Sequence, residues 1–315
     1  MTPADRIALA QGRALVVAGP TAVGKSAFGL EAARRFGGEI VSADSRQVYS
    51  GLDIGTAKAT ADERQAVPHH LIDILPPDGE FGLVAFLDEV GAALGDIWGR
   101  EKLPVVVGGS SQYVIALIEG WSPPRVPPNP GLRAALQLRA ETDGPESLHA
   151  ELAAGDPRAA ARIDLRNVRR VIRALEVRAF TEQEPATNRQ AHLDQNTLAI
   201  GLTMPREALY ARIDARVDRM MEAGWLREVE GLLERGYETS LTSMSSIGYL
   251  ELAEHLGGGA DLADTVQRIK HRTHRLARNQ YVWLRRARWL EWFEADEAGV
   301  TKAMDRVGEW RGGMP

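Results

Sequence analysis

Gly19-Pro20-Thr21-Ala22-Val23-Gly24-Lys25-Ser26 matches the pattern G-x-x-x-x-G-K-[ST], and its flanks decide how it is read. Ala14 to Ala18 before it is a short apolar run that predicts a buried strand, and Lys25 to Phe36 after it has helical spacing. A glycine-rich turn from strand to helix lets successive backbone N–H groups converge on an anion, and the helix N-terminus adds partial positive charge. Lys25 then reaches the outer phosphate, and the Ser26 hydroxyl is placed to ligate Mg²⁺. The chain has only five lysines, so a chance match in this context is rare. The eight residues are read as a cradle for a di- or triphosphate. Such a loop reads phosphates and not what they are attached to, so the motif leaves the choice open.

Working outward, Glu39 to Ser42 predicts a second strand, which runs into Asp44-Ser45-Arg46-Gln47. Leu83 to Trp98 has helical spacing, and Leu103 to Val107 predicts a third strand ending in Gly108-Gly109-Ser110. Alternating strands and helices predict an α/β fold with a parallel sheet. In such a sheet the carboxyl ends of neighbouring strands face one crevice, which would bring Asp44 to the phosphates. The other reading of Asp44 is a helix N-cap. Gly55 to Lys58 is a turn able to touch phosphate, and the His69-His70 pair reads as structural, since adjacent histidines need further ligands to hold a metal. The third strand has no aspartate at its end, which argues against an ATP-driven machine but leaves a small-molecule kinase open. Pro205 to Gly224 predicts one helix, with Arg212, Arg216 and Arg219 beside an apolar stripe of Ile213, Val217 and Met220. Three arginines on one face suit a second anion clamp.

The 315 residues, 44% hydrophobic and 26% charged, suit a soluble chain of about two domains. With no cysteine, disulfides, thiol nucleophiles and iron–sulfur clusters are excluded. Met1 to Gly12 lacks the pattern of a secretory leader, and no run approaches about 20 apolar residues, so a cytoplasmic protein with no membrane partner is expected. Between Trp121 and Gly131, five prolines in nine residues mark a stiff connection, and the alanine- and arginine-rich stretch to about Thr181 reads as a helical insertion. Strand character returns at Leu198 to Leu202. The net charge of −5 hides two basic clusters. Thr265 to Leu290 carries eight lysines and arginines and no acid, and Arg162 to Arg178 carries six arginines against Asp164 and Glu176. They are read either as solvated helix faces or as tracks for a polyanion.

Taken in order, the eight-residue loop, Asp44-Ser45-Arg46-Gln47-Val48-Tyr49, Asp53-Ile54-Gly55-Thr56-Ala57-Lys58, Pro68-His69-His70-Leu71-Ile72-Asp73, Arg173-Ala174-Leu175-Glu176-Val177, Ile247-Gly248-Tyr249 and Gln280-Tyr281-Val282-Trp283-Leu284 resemble the tRNA dimethylallyltransferases over nearly the whole chain. The resemblance implies a P-loop NTPase-like α/β core from residues 1–122 and 198–315, with a tRNA-binding helical insertion at 123–197. It implies transfer of a dimethylallyl group from dimethylallyl diphosphate to the N6 amine of adenosine 37, beside the anticodon of tRNA. Gly19 through Ser26 and Arg216 would hold the diphosphate, with Mg²⁺ on Ser26. Asp44 would be the general base, with Ser110 and Arg216 also catalytic. Asp44, Ser45, Arg46, Gln47, Ser110 and Arg133 would line the channel for the extruded base, and Arg169, Arg170, Val171, Ile172 and Arg173 would hold the anticodon stem-loop. A monomer is expected.

The chain departs from the family's pattern at Ser110, Gln112, Ser245, Ser246 and Asn279. The last three remove positive charge, which bears on tRNA affinity more than on chemistry. The rival readings are a nucleotide or metabolite kinase, a prenyltransferase acting on free adenine nucleotide, and a non-catalytic tRNA-binding protein with a relic loop. Intact Lys25, Ser26 and Asp44 argue against the last.

Overall fold

In the computed structural model the described residues are 12–180 and 196–312. Met1 to Gln11, read above for a leader, and 181–195, at the end of the expected insertion, lie outside them, as do the last three residues. Strand β1 (Ala14–Ala18) is wholly buried, which is why its sequence shows no alternation. It is followed by α1 (Lys25–Phe36), β2 (Gly38–Ser42), α2 (Ala61–Ala66), β3 (His69–His70), α3 (Leu83–Gly99), β4 (Leu103–Gly108) and α4 (Ser111–Ile118). Next come α5 (Pro130–Thr142), α6 (Pro145–Gly155), α7 (Pro157–Ala160) and α8 (Val168–Phe180). The chain continues through β5 (Thr197–Thr203), α9 (Arg206–Glu222), α10 (Trp225–Glu234), α11 (Tyr249–Leu256), α12 (Leu262–Leu284), β6 (Glu291–Glu294) and α13 (Glu297–Gly312).

The six strands form one parallel sheet in the order β3-β2-β4-β1-β5-β6, as the alternation of elements predicts. Leu15 and Val17 pack on one face with Phe28 of α1 and Val307 of α13. The intervening Val16 points to the opposite face, where α3 and α4 lie. Because β4 sits between β1 and β2, the carboxyl ends of β1, β2 and β4 open side by side where the strand order reverses. A second core joins Val217, Trp225, Tyr249 and Ile269 of the later helices to Val48, Tyr49 and Leu52 of the segment after β2.

The chain divides into two compact units, one from the residues up to Gly120 and from Gln190 onward, the other from Trp121 to Arg189. The second unit has its own core, in which Leu136, Leu148, Leu152, Val171, Ile172 and Leu175 meet. Its polar hub is Glu176, whose side chain is 0% exposed. The carboxylate accepts from Arg133 Nε and Nη2 at 2.8 Å each, from Arg173 Nη1 at 2.5 Å and from the Asn129 amide at 2.7 Å. Burial acts to raise its pKa, but these donors outweigh burial and hold it at about 2. Glu176 therefore stabilises the fold above its ordinary carboxylate range, and that contribution disappears as pH falls toward 2. Glu176→Ala is expected to cost about 2 kcal/mol, less than a fully buried pair because both guanidiniums can rehydrate. An unchanged midpoint in urea unfolding followed by circular dichroism would refute the hub role.

Candidate active site

The glycine-rich loop leaves β1 and enters α1 through Gly24, whose φ of 111° is left-handed and would strain any side chain. No side chain caps α1, so the N–H groups of its first turn are left to an anion. Lys25 curls over the loop and donates to the Pro20 carbonyl at 2.6 Å. From α12, Gln280 reaches the same place: its Oε1 accepts the Thr21 N–H at 2.8 Å and its Nε2 donates to the Gly109 carbonyl at 2.7 Å.

The loop opens into a cavity of about 840 Å³ lined by Lys25, Ser26, Asp44, Ser110, Arg212 and Arg216, among others. Asp44 Oδ1 accepts the Arg46 N–H at 2.8 Å, and the chain there makes turns, so Asp44 caps no helix. The Ser110 hydroxyl at the end of β4 accepts the Ser45 N–H at 3.0 Å, joining the ends of β2 and β4. Gln47 is engaged on both sides. It accepts from Ser42 Oγ at 2.8 Å and donates to the Thr56 and Ala57 carbonyls at 3.1 and 3.2 Å. Arg46 donates to the Thr242 carbonyl and to Ser245 Oγ. The hydroxyl that stands in for a positive charge at Ser245 thus receives one instead.

Charge in the cavity is lopsided. Burial, and then the neighbouring Arg216, pull Lys25 down to about 7, while Asp44 acts in the opposite sense. Burial also lowers Arg216, opposed by Asp44 and reinforced by Arg219 and Arg212. These couplings put Asp44 within electrostatic reach of both cations, and Asp44 forms no ion pair among the described residues. Lys25 and Arg216 are thus both coupled to Asp44, with Arg212 and Arg219 acting on Arg216, a cluster of cations that a polyanionic ligand would relieve. Ser26 is exposed at the start of α1, and its side chain makes no hydrogen bond among the described residues. Its hydroxyl, lining the cavity, is a hard oxygen donor that suits Mg²⁺, an ion that keeps water and phosphate oxygens as its other ligands.

The family model for IPP transferase matches residues 47–287, and that for isopentenyl transferase matches residues 12–73. A tRNA dimethylallyltransferase of Roseiflexus castenholzii is 53% identical over 93% of this chain and 96% of the relative. The tRNA dimethylallyltransferase of Thermomicrobium roseum is 49% identical over 90% of this chain and 87% of the relative. The chain belongs to the tRNA dimethylallyltransferase family. Among solved structures of this family, the full-length tRNA isopentenylpyrophosphate transferase of Bacillus halodurans superposes with a TM-score of 0.70 at 36% identity, covering 95% of this chain and 96% of that one. A eukaryotic dimethylallyltransferase crystallised acting on tRNA gives a TM-score of 0.83 at 27% identity, covering 96% and 80%. The P-loop NTPase-like α/β core expected from the sequence is thus that of a tRNA dimethylallyltransferase.

For this tRNA dimethylallyltransferase family member, the residues expected to meet RNA fall into distinct settings. Arg169 and Arg170 are exposed on α8, whereas Val171 and Ile172 are 1% and 6% exposed and belong to the insertion's core. Arg133 and Arg173 are held by Glu176. In the long basic stretch, Arg268 pairs with Glu254, Lys270 with Asp218, Arg272 with Glu251 and His274 with Asp214. Arg275, Arg278, Arg286 and Arg288 are exposed and form no ion pair among the described residues, so the positive face is the C-terminal half of the stripe. The Lys58 side chain is 2% exposed and binds Asp53, Asp73 and the Tyr49 carbonyl.

Two residues escaped sequence reasoning. Gln280 was visible only as part of a matching block. Glu228 gave no signal, yet its carboxylate accepts the N–H groups of Asp53, Ile54 and Gly55 at 2.9, 2.8 and 3.3 Å and the Tyr249 hydroxyl at 2.6 Å. It fixes the turn on which Gln47 rests.

Proposed function

We propose that the chain transfers the dimethylallyl group of dimethylallyl diphosphate to the N6 amine of adenosine 37 in tRNA, releasing diphosphate. The observation that carries this reading is the placement of one carboxylate, Asp44, in the same cavity and field as Lys25 and Arg216. The α1 N-terminus, Lys25, Arg216 and Arg212 hold the diphosphate. As the amine nitrogen bonds to the allylic carbon, the carbon–oxygen bond to the diphosphate breaks and charge builds on the leaving oxygen, where the loop amides and Arg216 stabilise it. The amine N–H is too weak an acid to ionise beforehand but becomes acidic as the new bond forms, and Asp44 accepts that proton. Ser110 keeps the Asp44 loop in register. The Ser26 hydroxyl would hold Mg²⁺, which when bound would supply neutralisation of the charge on the leaving group.

The target base has to leave its stack to enter the cavity. Arg169 and Arg170, together with the free arginines of the C-terminal stripe, supply the sequence-independent hold on the RNA backbone. Arg133, Arg173, Val171 and Ile172 support that hold by fixing α8. On this reading the enzyme works as a monomer in the cytoplasm.

The test is transfer of radiolabelled dimethylallyl groups from the diphosphate to unmodified tRNA with Mg²⁺, with AMP and ATP as rival acceptors. Label on tRNA alone is expected. Label on the nucleotides would favour the small-molecule prenyltransferase, and no label with any acceptor would return the kinase reading.

A further inference from the structure

The diphosphate loop and the basic helix α12 are 259 residues apart in sequence, and the Gln280 side chain hydrogen-bonds one to the other. Gln280 uses both ends of its amide: the carbonyl oxygen takes the Thr21 N–H of the loop at 2.8 Å, and the nitrogen gives a hydrogen bond to Gly109 at the end of β4 at 2.7 Å. The fit is close. A Cβ on Gly109 would stand 2.7 Å from Gln280 Nε2 and 3.5 Å from Lys25 Nζ, so a side chain there would displace the amide. Gln280 thus spans the two strand ends that flank the crevice, with the loop lysine beside it.

On the same helix, Thr273, Leu276 and Trp283 face the cavity with Gln280. Arg275 and Arg278 are exposed, and Arg285, which follows the helix, is exposed over the Tyr281 ring. One rigid element therefore presents free cations to solvent and an amide to the donor loop. The acids that pair with α12, Asp214, Asp218, Glu251 and Glu254, come from α9 and α11, so a shift of α12 is carried to α9 and its Arg216 as well.

We propose that Gln280 is a positioning residue that couples RNA held on α12 to the affinity of the diphosphate loop. This rests on the donor and RNA assignments made under Proposed function. RNA drawn against the free arginines biases the position of α12, and Gln280 passes that bias to the Thr21 amide and the Gly109 turn. Coupling of this kind is reciprocal: RNA alters diphosphate affinity by the same factor by which diphosphate alters RNA affinity.

The test measures binding of inorganic pyrophosphate with Mg²⁺ to the full chain, by calorimetry, with and without an unmodified anticodon stem-loop RNA. In the wild-type chain, RNA is expected to change pyrophosphate affinity by at least about fivefold. In Gln280→Ala, pyrophosphate affinity alone falls by up to about tenfold, RNA affinity stays within about twofold, and the RNA effect on pyrophosphate disappears. Gln280→Glu, nearly the same size, keeps the acceptor for Thr21 but loses the donor to Gly109, and serves if the alanine variant does not fold. It too is expected to lose the coupling. A residue that merely supported the fold would weaken both ligands and leave their ratio intact. Coupling that persists in the folded variant, or none in the wild-type chain, overturns the proposal. Pyrophosphate that fails to bind the wild-type chain at all defeats the donor assignment itself.

Discussion

Asp44→Asn is expected to lower kcat for prenyl transfer about a thousandfold while the RNA still binds. Asparagine keeps an oxygen for the Arg46 N–H, so the turn after β2 holds its shape and only the basicity and charge are lost. Asp44→Ala removes that oxygen too and should be at least as severe. Either change also removes the attraction that Asp44 exerts on Lys25 and Arg216, so Lys25 titrates lower still. The measurements are single-turnover transfer with saturating donor and a filter-binding titration of the RNA. Turnover within about threefold of wild type would refute Asp44 as the base. Loss of RNA binding in parallel with turnover would make it an RNA contact instead.

The second large effect belongs to Lys25. With its ammonium held at about 7, much of the free protein carries a neutral lysine above that pH. A bound diphosphate favours the charged form and raises the pKa, so binding takes up a proton at pH 8. The sign follows: affinity falls as pH rises above 7, by up to about tenfold per unit, until the pKa of the complex is passed. Calorimetry in buffers of different ionisation enthalpy reads this uptake directly. Pyrophosphate has protons of its own, so the decisive quantity is the difference between wild type and Lys25→Met. That difference should approach about one proton at pH 8, and kcat/KM for the donor in Lys25→Met should fall about 10²- to 10³-fold. Equal proton uptake by the two proteins would refute the assignment.

Much of the core was legible because its signals are local. Buried parallel strands read as apolar runs, and the strand–glycine loop–helix order fixes where a phosphate goes. Strands β1, β2, β4 and β5 and helices α1, α3 and α9 follow from such patterns to within two residues. The edge strands β3 and β6 did not. One is two residues long and the other is four, too short for a period to stand out, and both exist because a neighbouring strand offers its edge.

The charge pattern was the least legible part. Thr265 to Leu290 has no acid in sequence, yet three of its eight lysines and arginines are paired, because helix packing sets Asp218, Glu251 and Glu254 against them. Glu176, which sequence reading counted against a run of arginines, is the acceptor around which one of them, Arg173, is built into the insertion together with Arg133 of α5. By itself the sequence determined the phosphate loop, the α/β core, the family and the candidate base, since each is written in contiguous residues or fixed spacing. Tertiary structure alone decided which arginines remain free for RNA, that Lys25 loses its proton easily, and that Gln280 bridges the loop to α12. Those properties depend on burial and on partners that lie from 14 to 259 residues away, which no local pattern records.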